Sequence, residues 1–185
     1  MLNDKIEIFD LPVPKEINTG VINFLGNKGQ WSFLSGQFSE VIANKVPDGG
    51  MFHVTYSLDN SITRTTPDQY LNNFADWIYS FCKERTQLKM KYLERVYWIL
   101  YSPGASCNWH IDKDLDGYAG YYASIVYNLH TNDGGTEFEG DQKFSAKERQ
   151  ALVFPSHLRH RGLAPVKNKW RMSLNLVVRT ESYIK

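Results

Sequence analysis

The segment NWHIDKDLDG, residues 108–117, contains a histidine and three aspartates, which are all residue types that bind metal ions. These residues are His110, Asp112, Asp114 and Asp116. Alternating acids followed by a glycine are typical of calcium loops, of solvated turns and of one edge of a transition-metal site. Each alternative requires different residues in the flanking sequence.

The flanking sequence argues against a calcium loop of the EF-hand type. DKDLDG matches the first six loop positions, but the twelfth, which should be a bidentate glutamate, is Ala123, and the ninth is Gly120. The preceding VYWILYSPG, residues 96–104, is typical of a strand and a turn, whereas an EF-hand requires a helix there.

A metal site is possible because positions i and i+2 of an extended segment face the same side, so His110 and Asp112 can converge on one ion. Such a pair needs a third ligand. His53 is expected to be half-buried or exposed on a strand, and His130 to be exposed where a turn begins. His157 and His160 lie in FPSHLRHRGLAPV, residues 154–166.

His160 is favoured over His157 as the third ligand, because it begins an extended run after the Pro155-Ser156 turn, and strands hold ligands more rigidly than turns do. Two histidines and one carboxylate suit Fe(II) and leave coordination positions open. Arg171 and Ser173 share a face of the last predicted strand. A buried guanidinium there is costly unless it meets a carboxylate. The alternative is an exposed arginine or an internal salt bridge.

Length and composition indicate one globular domain covering residues 1–185, since 42% of the 185 residues are hydrophobic and 14% are aromatic. The longest apolar run, VYWILY, is too short to span a bilayer, and the N-terminal residues lack the pattern of a signal peptide. Two cysteines, Cys82 and Cys107, without a CxxC motif favour a reduced, cytoplasmic protein.

The net charge of +1 does not favour nucleic acid, but the charges are unevenly placed. Residues 112–141 carry seven acids against one lysine, and residues 149–180 carry seven basic residues and no acid. Two solvated faces explain this division, as does a cation site facing an anion site.

The pattern of the chain predicts helices first and strands afterwards. A short helix is expected from Pro14 to Phe24, ending near Gly26, and a second one after TTPDQ, with Thr66 as the N-cap, to about Arg85. Strands are predicted near residues 94–102, 121–129, 135–139, 150–154, 160–166 and 170–179. The fold class is therefore mostly β with supporting helices, as a sandwich or jelly roll.

Four segments together resemble the iron- and 2-oxoglutarate-dependent dioxygenases, in particular their prolyl-hydroxylase-like branch. They are YSPGASCNWHID, SIVYNLHTNDGGTEF, ALVFPSHLRH and WRMSLNLVV, and the resemblance covers about residues 95–178. It implies a double-stranded β-helix (a cupin-like jelly roll) in residues 91–180, with residues 1–90 providing helical support and substrate-side elements.

The same resemblance implies roles for individual residues. His110, Asp112 and His160 would hold Fe(II), and Arg171 with Ser173 would bind the distal carboxylate of the cosubstrate 2-oxoglutarate. Tyr101 is similar to a tyrosine that lines this pocket. In the middle strand either Tyr127 or its neighbour Asn128 would contact the cosubstrate, with Tyr127 preferred. Asp114 and Asp116 would face water, and Gly117, Tyr118, Tyr121 and Tyr122 would either cover the substrate or pack against the outer sheet.

The implied activity is hydroxylation of an unactivated C–H bond of a peptide or small molecule, with O2 consumed and 2-oxoglutarate converted to succinate. A catalytically silent cupin-like binding module is an alternative from another class. A nucleic-acid dealkylase is less favoured, because the second arginine of that pattern is Val177 here.

Overall fold

The computed structural model describes residues 5–33, 50–58, 67–105, 107–113 and 122–181. The elements are β1 (Glu7–Asp10), α1 (Lys15–Lys28), β2 (Ser32–Phe33), β3 (Met51–Ser57), α2 (Gln69–Arg85), β4 (Met90–Tyr101), β5 (Tyr122–Asn128), β6 (Gly135–Phe138), β7 (Gln142–Ser145), β8 (Gln150–Pro155), β9 (His160–Leu163) and β10 (Arg171–Thr180). None of the described helices is long and apolar enough to cross a membrane.

The strands form two antiparallel sheets, as the pattern of short strands predicts. The larger has the order β1-β8-β5-β10-β4-β3-β2, and the smaller has the order β7-β6-β9. β10 is central, because it pairs with β4 on one side and with β5 on the other. The predicted jelly roll with supporting helices is confirmed, and all six predicted strands are present.

The two faces of the large sheet have different tasks. Leu174 and Leu176 of β10 belong to a core cluster that includes Leu71, Phe74 and Ile78 of α2. Between them on β10, Ser173 and Asn175 point to the opposite face, because successive side chains of a strand alternate. That second face is also buried, although it includes polar residues such as these two, and the candidate site lies there.

Both helices differ in detail from the prediction. Asp68 is the N-cap of α2, and its side chain accepts a hydrogen bond from the backbone N–H of Leu71 at 3.0 Å. Pro67 therefore precedes the cap, and Thr66 lies outside the described residues. α1 continues through Gly26 and ends at Lys28, two residues beyond the expected end.

Residues before position 90 contribute strands as well as helices. β1 extends one edge of the large sheet beside β8, and β3 pairs with β4 on the other side. β1 and β7, which have four residues each, were not predicted, and β7 is largely exposed.

Candidate functional site

Backbone pairing brings the three predicted metal ligands together. The segment before Asp112 runs beside β9, where His110 and His160 form an isolated antiparallel bridge and exchange two backbone hydrogen bonds of 2.9 Å. Cys107 N–H also donates to Gly162 O, and Asp112 N–H donates to Ser156 O, both at 3.1 Å. The two histidines are thus direct neighbours across antiparallel strands.

The ligand atoms of His110, Asp112 and His160 all lie within 4.8 Å of one another. Nε2 of His110 is 3.8 Å from Asp112 Oδ1, and Nε2 of His160 is 3.6 Å from Asp112 Oδ2. Nδ1 of each ring lies near a backbone carbonyl, that of Asn108 at 2.8 Å and that of Leu158 at 2.9 Å. A donated Nδ1–H fixes the tautomer in which Nε2 is free to bind a metal, so the donor set fits a divalent transition ion.

The charges of the three groups depend on one another. Burial opposes ionisation of Asp112, but the two histidines and Arg95 outweigh it and lower the pKa of the carboxyl group. Burial also opposes protonation of His110, yet Cys107 and Asp112 raise its pKa to about 9. The pKa of His160 is lowered, because burial dominates there. Asp112 is therefore an anion at neutral pH, as a metal ligand must be.

Sequence reasoning did not find the residues that hold Asp112. Tyr97 Oη donates to Oδ1 at 3.1 Å, and Ser124 Oγ donates to Oδ2 at 2.5 Å. Arg95 Nη2 donates to the backbone carbonyl of Asp112 at 3.3 Å and lies 3.9 Å from Oδ1. Burial and the nearby Asp112 carboxylate raise the pKa of Tyr97, so the phenol stays protonated and able to donate.

On the outer face of the small sheet, a row of four side chains runs from β7 across β6 and β9 to the segment that carries His110. Glu137 of β6 forms ion pairs with Lys143 of β7 at 2.8 Å and with Arg161 of β9 at 2.5 Å. The Arg161 guanidinium in turn lies 4.7 Å from the centre of the Trp109 ring. Trp109 and Arg161 each adjoin a histidine of the site, so this row braces the strands from outside.

Arg171 is buried on the site-facing side of β10, with 2% of its surface exposed. Nη1 donates to Gly135 O at 2.6 Å and to Leu163 O at 3.3 Å, and Nη2 donates to Thr136 Oγ1 at 3.4 Å. Nε is buried without a partner, and no carboxylate among the described residues pairs with the guanidinium. A buried cation with an unused donor fits an anionic ligand, and the described part of the chain shows no internal salt bridge to Arg171.

Tyr101 and Ser173 lie beside this arginine. Tyr101 is the cross-strand partner of Arg171, whose guanidinium is 5.5 Å from the centre of the Tyr101 ring. Ser173 is buried on the same face, two residues along β10.

Tyr127, the residue predicted to contact the cosubstrate, lies on the helix side of β5. Its hydroxyl donates to Asn18 Oδ1 of α1 at 2.8 Å, and its ring lies 5.8 Å from that of Phe74, so the side chain faces the helices. Asn128, the alternative, shares the site face with Ser124, pairs with Ser173 across the strands, and has a buried Oδ1 without a partner. Successive side chains of β5 point to opposite faces of the sheet, so only one of Tyr127 and Asn128 can face the site.

The other histidines lie outside the cluster. His53 is more buried than predicted, and its Nδ1 is 3.1 Å from Gln30 O. His130 is half-buried, and its Nε2 accepts the N–H of Met172 at 3.2 Å. His157 remains in the turn after Pro155. Tyr122 lies buried on β5, and the predictions for Asp114, Asp116, Gly117, Tyr118 and Tyr121 fall outside the described residues.

Comparisons with known proteins identify relatives by fold alone. No family model matches the sequence, and no curated protein is significantly similar to it. A collagen prolyl hydroxylase of Paramecium bursaria Chlorella virus-1, solved with 2-oxoglutarate, is 18% identical, with a TM-score of 0.64, over 98% of this chain and 99% of that chain. A prolyl hydroxylase of Trichoplax adhaerens, in complex with a hypoxia-inducible factor peptide, is 18% identical, with a TM-score of 0.62, over 96% of this chain and 84% of that chain.

The non-heme α-ketoglutarate-dependent epimerase SnoN of nogalamycin biosynthesis is 9% identical, with a TM-score of 0.67, over 95% of this chain and 78% of that chain. The chain therefore has the fold of 2-oxoglutarate oxygenases, and the resemblance seen in the sequence is confirmed at that level. Proteins with this fold include a prolyl hydroxylase bound to a peptide and an epimerase of nogalamycin biosynthesis, so the fold does not select a substrate.

Proposed function

We propose that this protein is an Fe(II)- and 2-oxoglutarate-dependent dioxygenase that hydroxylates an unactivated C–H bond. The observation that carries the proposal is the presence of two features in the buried interior between the two sheets. One is a cluster of two histidines and a carboxylate. The other is Arg171, a buried cation with an unused donor and no described carboxylate partner.

Each residue has a defined task in this proposal. His110, Asp112 and His160 hold Fe(II) through two imidazole nitrogens and one carboxylate oxygen, and so leave one side of the ion open. Arg171 binds the distal carboxylate of 2-oxoglutarate, and Asn128 offers a further polar contact on the same face, where Ser173 also lies with its hydroxyl hydrogen directed to Asn175. When bound, iron and 2-oxoglutarate supply the oxidising chemistry, and the surrounding apolar residues keep the site dry.

The substrate is a peptide or a small molecule in this proposal. The similarity to a prolyl hydroxylase in complex with a peptide favours the first class, and the similarity to SnoN favours the second. A silent binding module is disfavoured, because a cupin-like metal site without turnover has no need of a buried arginine such as Arg171.

The experiment that tests the proposal is anaerobic titration of the folded chain with Fe(II) and 2-oxoglutarate. Chelation of the iron by a 2-oxo acid is expected to produce a weak visible charge-transfer band, which should bleach with succinate formation when air is admitted. His160→Ala should abolish both signals, because only two protein ligands remain, whereas His157→Ala should keep both.

The possible failures point to different errors. Wild-type protein that binds Fe(II) but gives neither a band nor succinate would favour the silent module. Loss of both signals in His157→Ala, with retention in His160→Ala, would keep the enzyme but move the third ligand to the turn.

A further inference from the structure

Four polar side chains form a hydrogen-bonded row across the buried interior, from the neighbourhood of Arg171 to the metal cluster. Ser173 Oγ donates to Asn175 Oδ1 at 3.1 Å, and Asn175 Nδ2 donates to Tyr97 Oη at 3.4 Å. Tyr97 Oη then donates to Asp112 Oδ1 at 3.1 Å. Ser173, Asn175 and Tyr97 are each at most 9% exposed, so water does not replace these bonds.

The pairing register of β10 and β4 determines the position of this row. Asn175 and Tyr97 are direct partners between β10 and β4, and Ser173 lies two residues before Asn175 on the same face of β10. The neighbouring positions on the opposite face are Leu174 and Leu176, which pack in the helix-side core. Polar groups buried in a protein are costly unless they are hydrogen-bonded, and here each has a partner in the row.

The direction of the row follows from its last member. An ionised carboxylate only accepts hydrogen bonds, so the Tyr97 hydroxyl must use its single hydrogen toward Asp112. The phenol oxygen is then left to accept, which requires Asn175 to present its NH2 group. The amide oxygen of Asn175 consequently faces Ser173, whose hydroxyl must donate. One carboxylate thereby fixes the orientation of an amide and a hydroxyl on a different strand.

The row also restricts how Asp112 can turn. Ser124 Oγ bonds to Oδ2 at 2.5 Å while Tyr97 bonds to Oδ1, so a hydroxyl anchors each oxygen. Rotation of the carboxylate away from the two imidazoles would break both bonds. Arg95 lies further away, at 3.9 Å from Oδ1, and its charge cannot replace the directional bond from the phenol.

We propose that Tyr97 is a positioning residue for the metal ligand Asp112, and that Asn175 and Ser173 set the direction of its hydroxyl. The inference rests on the metal site of the proposed function. Tyr97 does not bind the metal itself; it keeps the carboxylate turned toward Nε2 of His110 and of His160. Groups that orient metal ligands typically change metal affinity by 10- to 100-fold when removed.

The test is the affinity of the full-length chain for Mn(II), measured by electron paramagnetic resonance of the free ion, without oxygen or cosubstrate. Tyr97→Phe keeps the ring and removes the hydroxyl, and should weaken Mn(II) binding by roughly 10- to 100-fold. The matched control is Tyr122→Phe. Tyr122 is an equally buried tyrosine of the same cluster, but its ring lies beneath the cations of Lys113 and Arg179. This control should bind Mn(II) as the wild type does.

A second variant tests the row without touching the hydroxyl. Asn175→Leu removes the donor to Tyr97 at similar volume, and should weaken Mn(II) binding by roughly 2- to 10-fold, the worth of one neutral hydrogen bond. Combined with Tyr97→Phe it should add nothing further, because both substitutions break the same row. Should Tyr97→Phe fail to fold, as judged by its thermal transition, Asn175→Leu alone decides the question.

The outcomes separate this inference from the function on which it rests. If the wild type binds no Mn(II) or Fe(II), the proposed metal site is wrong, and the inference fails with it. If the wild type binds metal and folded Tyr97→Phe binds it equally well, Tyr97 has no positioning role and the proposed function stands. Equal weakening in Tyr97→Phe and Tyr122→Phe would indicate a general packing effect and would also overturn the inference.

Discussion

Replacing Arg171 by methionine should separate cosubstrate binding from metal binding. Arg171 lies on the site face, but none of its contacts reaches the metal cluster; its hydrogen bonds go to Gly135, Thr136 and Leu163. Methionine fills much of the same volume without a charge or a donor. The variant should therefore bind Fe(II) or Mn(II) as the wild type does, while its affinity for 2-oxoglutarate falls.

The size of the loss follows from the donors that Arg171 has to offer. Its Nε has no partner, and a carboxylate placed against it would gain charge-assisted hydrogen bonds. Such bonds contribute about 1.5–3 kcal/mol, so the dissociation constant for 2-oxoglutarate should be roughly 10- to 150-fold larger in the variant. The affinity of Arg171→Lys for 2-oxoglutarate should lie between those of the wild type and Arg171→Met, because an ammonium group keeps the charge but not the planar fork.

Isothermal titration of the Mn(II)-loaded protein with 2-oxoglutarate, under anaerobic conditions, measures this difference. Arg159→Met is the matched control, since Arg159 is an exposed arginine that pairs with Glu139 on the surface. Its affinity for 2-oxoglutarate should equal that of the wild type. Unchanged affinity in a folded, metal-loaded Arg171→Met variant would refute the reasoning, and the anion site would have to be sought elsewhere.

Two further predictions concern packing and pH. Gly162→Ala should destabilise the protein by about 1–3 kcal/mol and weaken 2-oxoglutarate binding. The added Cβ would lie 2.8 Å from Cζ of Tyr101 and would displace the ring that faces Arg171. A melting temperature equal to that of the wild type would contradict this prediction. The two basic partners of Glu137 lower the pKa of its carboxyl below the ordinary 4.5, so its contribution to stability is present above that pH and is lost as the pH falls through the folded-state pKa. Glu137→Gln should therefore lower the melting temperature at pH 7, and this effect should shrink below about pH 4.5. The control Glu139→Gln removes an exposed ion pair and should have little effect at either pH. A melting-temperature difference for Glu137→Gln that does not change with pH would argue against the ion pairs.

Much of this architecture was predictable, because it follows from local periodicity. The i, i+2 rule placed His110 with Asp112 and Arg171 with Ser173, and in each case the structure puts the two side chains on one face. The preference for a strand-borne third histidine also agrees with the geometry, since His160 lies in the cluster and His157 lies in the turn.

The sequence could not decide between Tyr127 and Asn128, and the reason is physical. All seven residues of β5 are buried, because helices cover one face of the sheet and the site occupies the other. A strand buried on both faces lacks the alternation of apolar and polar residues that reveals which side chains share a face. The aromatic residue was preferred by resemblance, and the register of β10 places the asparagine there instead.

The residues that support Asp112 could not be inferred from the sequence at all. Tyr97 and Ser124 belong to different strands, and neither lies near Asp112 in a recognisable motif. Their convergence depends on long-range register, which no local pattern records. The cap of α2 was missed on a smaller scale, since Thr66 and Asp68 are both good N-cap residues, and only the geometry selects the aspartate.

The backbone pairing of His110 with His160 has a consequence for which insertions and deletions such a site can tolerate in evolution. The distance between the two imidazoles depends on which residues face each other across the strands, and not on the number of residues that separate them along the chain. The intervening loops can therefore lengthen or shorten without altering the metal geometry. A slip of one residue in the pairing, by contrast, would turn a ligand to the outside. Insertions that preserve register are expected to be tolerated here, whereas a single-residue deletion between Cys107 and His110 should abolish metal binding.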